Sequence, residues 1–150
     1  MARSGLPEGY ILAFDFGLQH IGAAAAQTIT DTARGVATIA AANGKPLWRE
    51  IDPLIEQYQP FCFVVGLPLN MDDSHSQMCE RAQRFAQSLS TRYRRPAHMQ
   101  DERLTSKAAK AVLEIARDFG DANTDHELAA CFIAEAWLSD QSGPVPPGKH

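Results

Sequence analysis

The 150-residue sequence has few cysteines, no long apolar run and no excess of positive charge. Its cysteines number 3 and form no CxxC pair, which argues against a disulfide framework or a zinc finger. Cys62 and Cys131 lie in apolar stretches, so we expect their side chains to be small and buried. The lack of a disulfide pattern favours a reducing, cytoplasmic compartment. No segment could span a bilayer and residues 1–9 contain no apolar signal core, so no membrane role is expected.

The charge balance is mildly acidic, with 14 Lys and Arg against 18 Asp and Glu and a formal net charge of −4. Such a balance does not favour strong, sequence-blind binding to nucleic acid or to an anionic membrane surface. This charge balance does not exclude a local basic patch on the surface. With 45% hydrophobic and 21% charged residues, the chain suits one domain with its own core.

Apolar patterning divides the chain into alternating strands and helices. Strands are predicted over residues 10–16, 21–27, 35–41, 61–65 and 97–102. Helices are predicted over 47–58, where Pro53 should end or bend the first turns, then over 76–93, over 105–119, and from a capping box at Thr124. Three strands with short linkers precede helix-linked strands, which indicates an α/β fold with a mixed sheet covered by helices.

The ends of the chain differ from its middle in composition. Residues 1–9 are predicted to be a flexible N-terminus, and residues 142–150, rich in Pro and Gly, a disordered tail. Residues 10–141 contain no visible linker or repeat and are predicted to form a single domain.

A carboxylate in the first apolar stretch needs a compensating partner. Asp15 lies between Phe14 and Phe16, and burying a lone charge there would cost several kcal/mol. Gly17 follows, which places Asp15 at a strand end beside a tight turn. These features make Asp15 a candidate functional residue.

Further carboxylates follow at two places. Asp101 and Glu102 end the fifth predicted strand and point to opposite faces, so only one of them can share a site with Asp15. Asp125 lies in the first turn of the last helix at the edge of its inner face, where it could simply complement the helix dipole, while Glu127 should point more outward. Together they suggest a site for one or two Mg²⁺ or Mn²⁺ ions that could support phosphodiester cleavage.

Four stretches, in this order, closely resemble one known family: AFDFGLQHIGAA, VVGLPLNMDDS, DERLTS and TDHELAACFIAEAWL. The family is YqgF, also called RuvX-like, and the resemblance extends over residues 10–137. It implies an RNase H-like fold, with a five-stranded mixed sheet (an antiparallel meander, then parallel strands) flanked by helices. It also implies a magnesium- or manganese-dependent nuclease, a hydrolase acting on ester bonds. Asp15, Glu102 and Asp125 are then its catalytic and metal-binding residues, and Glu102 is selected over Asp101.

The resemblance implies a nucleic-acid substrate. Processing of the 5′ end of precursor 16S rRNA during ribosome biogenesis is the first expectation, and resolution of Holliday junctions in DNA is the alternative. Expected partners are structured RNA or branched DNA and ribosome-assembly intermediates, for a monomer or a homodimer in the cytoplasm. A non-catalytic nucleic-acid-binding module remains open. A phosphotransferase of the actin–hexokinase type is disfavoured, because such enzymes use two related domains.

The first motif departs from the family pattern D-F-G-x-K-R-I-G, because Gln19 and His20 replace the basic pair. His20 could still contact a phosphate, and a structural histidine at the start of the second strand is the alternative reading. The residues expected to contact nucleic acid are Arg103, Lys107, Lys110, His20 and Asn70. Arg81 and Arg84, on the helix of residues 76–93, are further candidates for contact with nucleic acid, for which a solvated helix surface is the favoured interpretation.

Overall fold

The computed structural model describes residues 8–30, 32–67, 77–101 and 122–142 of the chain. Its strands are β1 (Tyr10–Asp15), β2 (His20–Gln27), β3 (Ala33–Ala42), β4 (Lys45–Pro46), β5 (Cys62–Leu67) and β6 (Ala97–Asp101). Its helices are α1 (Trp48–Tyr58), α2 (Gln77–Tyr93) and α3 (Ala122–Ser142). None of these described helices is long and apolar enough to cross a membrane.

The strands form one mixed sheet in the order β4-β3-β2-β1-β5-β6. Strands β1 to β4 pair antiparallel in sequence, whereas β5 pairs parallel to both β1 and β6. The predicted α/β class and mixed sheet are therefore confirmed. The predicted count of five strands is one too few, because the described residues form six.

The additional strand, β4, results from a tight hairpin turn. Asn43 and Gly44 have φ angles of 54° and 85°, the left-handed conformation that Asn-Gly adopts in two-residue hairpins. The turn folds Lys45 and Pro46 back onto the end of β3. The sequence pattern predicts no strand over these residues.

Two apolar cores cover the two faces of the sheet. Odd positions of β1, such as Ile11 and Ala13, pack with residues of α3, whereas Leu12 and Phe14 pack with residues of α1 and α2. This alternation is the period of two expected when both faces of a strand are buried. The sheet thus lies between α3 on one side and α1 with α2 on the other.

Two helix boundaries differ from their predictions. Helix α1 continues through Pro53 to Tyr58, because Pro53 is exposed while the opposite face of the helix is buried in the first core. Helix α3 begins at Ala122, so Thr124 lies inside the helix and is not its first boundary residue. Alanine is the best helix former, which favours this earlier start. The predicted helix 105–119 lies outside the described residues.

The cysteines are buried free thiols, as predicted for Cys62 and Cys131. Burial raises the pKa of the Cys62 thiol to about 12 and that of Cys131 to about 11. Both thiols are therefore protonated and unreactive at neutral pH.

Candidate active site at the carboxyl edge of the sheet

Asp15 is the last residue of β1 and is half-buried. The parallel strands β1, β5 and β6 run in one direction, so their carboxyl ends lie along the same edge of the sheet. Ligands of open α/β sheets bind at this kind of edge. The chain turns sharply after Asp15, and a Cβ on Gly17 would lie 2.4 Å from the backbone oxygen of His20. Glycine at this position therefore allows β2 to start immediately beside the end of β1.

Asp15 lies opposite Gly22 in the antiparallel pair β1–β2. Directly opposite residues of such a pair project from the same face of the sheet. Ile11 and Ala13 face α3 from β1, and Asp15 continues their alternation. The Asp15 carboxylate therefore projects from the face that α3 covers.

Helix α3 reaches the sheet at Gly22. A Cβ on Gly22 would lie 2.0 Å from the carbonyl oxygen of His126 and 2.4 Å from its carbonyl carbon. The first turns of α3 thus rest directly on the backbone of β2, where only glycine leaves enough space. Asp125 immediately precedes His126, so its backbone is held next to the residue that pairs with Asp15. The fold brings these two predicted positions together on one face.

A second contact places His20 at the same edge. The His20 and His126 rings stack with their centroids 5.4 Å apart and their planes inclined by 26°. His20 is exposed at the start of β2, and His126 is half-buried in α3. His20 therefore lies at the same edge of the sheet as the end of β1. His126 is not among the residues predicted from the sequence, although its position next to Asp125 in the first helical turns is a usable signal.

Glu127 also anchors α3 to the sheet. Its Oε2 accepts a hydrogen bond of 3.3 Å from the Thr38 hydroxyl, and its Cβ lies 2.6 Å from the position that a Cβ on Gly35 would occupy. The expectation that Glu127 points outward is therefore wrong. Gly35 and Gly22 both remove side chains from the sheet surface beneath α3, which allows close contact of the helix backbone.

Strand β6 supplies the remaining part of the edge. His98 stacks on Trp137 of α3 at 5.3 Å, whereas Ala97 and Met99 pack against the first core. Even positions of β6 therefore face α3, and Gln100, 4% exposed, is the last of them with a described side chain.

Several predicted site residues lie outside the described residues: Glu102, Arg103, Lys107, Lys110 and Asn70. The side chains of Asp101 and Asp125 are likewise not described. Within the described part, no group of three or more His, Cys, Asp and Glu side chains is placed to hold a metal ion. The set Asp15, Glu102 and Asp125 therefore stays a prediction. What the structure does provide at this edge, a half-buried carboxylate at a strand end, is the oxygen donor that Mg²⁺ and Mn²⁺ prefer.

Comparison with known proteins identifies similar chains. The family model described as RuvX, Holliday junction resolvase, matches residues 9–140. A protein of Actinobacillus pleuropneumoniae named "Putative pre-16S rRNA nuclease" is 43% identical over 133 residues, which are 87% of this chain and 97% of that protein. A Pseudomonas aeruginosa protein with the same name is 41% identical over 139 residues, 91% of this chain and 96% of that one.

Solved structures of lower identity share the fold. Thermus thermophilus RuvC, in complex with a Holliday junction substrate, aligns with a TM-score of 0.57 and 13% identity over 90% of this chain and 96% of that one. The yeast mitochondrial Holliday junction resolvase Ydc2 aligns with a TM-score of 0.53 and 11% identity over 90% of this chain and 80% of that one. The sheet and its flanking helices thus have the architecture of RuvC-like, RNase H-fold resolvases.

Proposed function

The chain belongs to the RuvX family, and from this membership we propose that it cleaves precursor 16S rRNA at its 5′ end with Asp15, Glu102 and Asp125 as the catalytic and metal-binding carboxylates. It is a nuclease, a hydrolase of phosphodiester bonds. The choice of RNA follows the names of the relatives at 43% and 41% identity, which cover nearly the whole domain.

One observation supports the site most strongly. Asp15 pairs with Gly22, and the His126 carbonyl of α3 packs on Gly22 so closely that no side chain fits between them. Asp125, next to His126, is thereby kept near Asp15 by the backbone of the fold. Glu102 lies outside the described residues, and it is proposed over Asp101 as the third carboxylate from the resemblance of the DERLTS motif alone.

The proposed carboxylates would hold one or two divalent cations, Mg²⁺ or Mn²⁺. When bound, such ions stabilise charge on the attacking and leaving oxygens of a phosphodiester. The protein residues position this chemistry: Asp15 on a strand end and Asp125 on a helix packed against the sheet. Sites on rigid elements hold their geometry better than sites on loops.

The substrate phosphates need donors beyond the metal. His20 is exposed at the same edge, and its ring nitrogens can donate a hydrogen bond to a phosphate oxygen. Arg103, Lys107, Lys110 and Asn70 are proposed as further contacts from the sequence alone. Intermediates of ribosome assembly in the cytoplasm are the proposed source of the substrate.

Resolution of four-way DNA junctions is the second candidate function. The description of the matching family favours it, and the fold is shared with RuvC. A symmetric junction suits a homodimer, whereas end processing of RNA does not require one. Light scattering of the purified protein during gel filtration would separate monomer from homodimer.

The test compares both substrates. Purified protein is incubated with a precursor 16S 5′-end RNA, and separately with a four-way DNA junction, in Mg²⁺, Mn²⁺ or EDTA. We expect metal-dependent cleavage of the RNA. Asp15→Asn should lower the rate more than about a hundredfold, since even outer-shell partners of metal ligands are worth 10–100-fold. Glu56→Gln, an exposed position on α1, is the control and should cleave normally.

The outcomes separate the candidates. Cleavage of the junction alone would assign the protein to DNA resolution. Unchanged activity of Asp15→Asn would remove Asp15 from the site. Binding of RNA without cleavage under any metal would favour the non-catalytic module.

A further inference from the structure

A groove on the opposite side of the sheet from α3 has no role in the site described above. It lies between the β3–β4 hairpin and α2, where a cavity of about 470 Å³ is lined by Lys45, Trp48, Arg81 and Arg84. An adjoining depression shares Trp48 and Arg84 and continues along α2 to Arg92. The two together form one continuous channel, which we call the α2 groove.

The charge of the α2 groove opposes that of the whole chain. Among the residues that the structure describes, its lining contains four cations, Lys45, Arg81, Arg84 and Arg92, and neither Asp nor Glu, although the formal net charge of the chain is −4. A concentration of one sign in a cleft attracts ligands of the other sign. The α2 groove is therefore suited to a polyanion.

Two of these cations are held by neighbours and two are not. Arg81 donates a hydrogen bond of 2.7 Å to the Asn43 side chain, and Arg92 lies 3.5 Å from Asp52 in an exposed ion pair. Lys45 and Arg84 are exposed, and neither forms an ion pair with a residue that the structure describes. Their charges are accordingly available to a ligand.

Aromatic stacking adds a second feature. The Arg92 guanidinium lies over the Trp48 ring at 5.0 Å, and Trp48 stacks on Phe85 with centroids 6.2 Å apart and planes inclined by 24°. The Arg92 side chain is 43% exposed. Unpaired bases stack on aromatic rings and on guanidinium planes of this kind. Cations beside such a stack are typical of surfaces that bind single-stranded nucleic acid.

The α2 groove begins beside the candidate active site. The Gly44 amide in the hairpin turn donates a hydrogen bond of 2.9 Å to the carbonyl of Leu18, in the loop that follows Asp15. Arg81 then joins the same turn to α2 through Asn43. The Leu18 loop thus links the Asp15 edge to the groove, and a strand leaving that edge would pass around the end of the sheet to reach it.

We propose that the α2 groove binds a single-stranded polynucleotide segment, a flank of the substrate next to the scissile phosphodiester. This rests on the proposed nuclease function. Arg81, Arg84, Ser88 and Arg92 lie along one face of α2. The distance from Arg81 to Arg92 is about 16 Å at 1.5 Å per residue. That length accommodates about five stacked nucleotides at 3.4 Å each.

The test measures binding apart from cleavage. A fluorescein-labelled oligouridine of about twenty nucleotides, longer than the groove, is titrated with the full chain in EDTA and followed by fluorescence anisotropy at several salt concentrations. Arg84→Glu and Lys45→Glu should each weaken binding at least about fivefold and lower the slope of log Kd against log salt by about one.

Arg34→Glu is the control at a cation outside the groove, and it also removes a hydrogen bond of 3.0 Å from the guanidinium to the Tyr58 hydroxyl, so its fold must be checked. It makes the same charge change at an exposed position near the start of β3, about 26 Å along that strand from its hairpin end. It should bind like the wild type. Circular dichroism of each variant confirms that the fold is retained.

Three results would overturn the proposal: no binding by the wild type, groove variants that bind like the wild type, or an equal loss in Arg34→Glu. A second readout is the fluorescence of Trp48. The chain has 2 tryptophans, and Trp137→Phe removes the other one. The emission of Trp48 should change on saturation with RNA, and a constant emission would place the strand elsewhere. Because cleavage by Asp15→Asn is measured separately, failure of the groove and failure of the nuclease assignment are distinguishable.

Discussion

Replacing Gly22 by alanine should move the start of α3 away from β1 and so reduce catalysis more than stability. A Cβ on Gly22 would lie 2.0 Å from the His126 carbonyl oxygen, a backbone atom that no rotamer change can withdraw. Real Cβ atoms essentially never approach closer than 3.0 Å, so the helix must retreat. The required displacement is about 1 Å, and a misplacement of that size can cost about a hundredfold in rate.

The stability of the variant should fall less sharply. Inserting a methyl group into a packed contact costs about 1–3 kcal/mol, which many domains tolerate without unfolding. Urea titrations followed by circular dichroism would measure this loss. Cleavage of precursor 16S 5′-end RNA in Mg²⁺ or Mn²⁺ would measure the rate under conditions where each variant is folded.

Two variants serve as controls. Ile51→Val removes a methylene from the core beneath α1 and should cost about 0.5–1.5 kcal/mol without moving α3. Its activity should stay near that of the wild type. Gly35→Ala is an intermediate case. Its added Cβ would lie 2.6 Å from the Glu127 Cβ, so α3 would have to move less than in Gly22→Ala. Wild-type activity in Gly22→Ala, or an equal loss in Ile51→Val, would refute the reasoning.

Two further predictions concern stability and thiol chemistry. The hydrogen bond from the Tyr93 hydroxyl, more than the Arg92 guanidinium, lowers the pKa of Asp52 below its ordinary 3.8. The Tyr93–Asp52 hydrogen bond therefore stabilises the fold fully above about pH 3.8, and this stabilisation is lost as the pH falls through the lowered pKa. Because the Asp52 side chain is 48% exposed and solvent screens the contact, Tyr93→Phe should cost no more than about 1 kcal/mol at pH 7 in urea titrations, and the difference from wild type should shrink below about pH 4; a constant difference would contradict this. In the native protein, Cys62 and Cys131 should react with a thiol reagent at pH 8 only as the fold opens, because burial raises both pKa values. Rapid labelling of either thiol before urea is added would contradict their burial.

The sheet was predictable because its strands are continuous apolar runs separated by turn residues. Tyr10–Asp15 and Cys62–Leu67 lie within one or two residues of their predicted limits. Strand β4 escaped prediction because a two-residue strand has no periodicity to detect, and the Asn43-Gly44 turn was its only trace. The path of α1 through Pro53 depended on tertiary burial of its opposite face, which local propensity does not include.

The candidate site was predictable in part. Asp15 stood out because a carboxylate inside an apolar run requires a reason. The contact that brings α3 to Asp15 was not predictable, since Gly22 looks like any small strand residue until its partner is known. The same holds for Gly35 and Glu127, which meet across 92 residues of sequence. Contacts of this range depend on how the helix docks, and no local pattern encodes that.

The negative side chains at the Asp15 edge and the positive side chains of the α2 groove lie at separate places, which explains how an acidic chain can act on a polyanion. The proposed carboxylates Asp15, Glu102 and Asp125 would repel a phosphodiester unless a cation is bound, so on this proposal substrate approach would depend on the metal. The replacement of a basic pair by Gln19 and His20 removes fixed positive charge from that edge. The α2 groove, with Lys45 and Arg84 exposed, offers attraction that does not depend on the metal. If both proposals hold, binding and cleavage should respond differently to chelation: EDTA should abolish cleavage, whereas the groove should retain its share of the affinity.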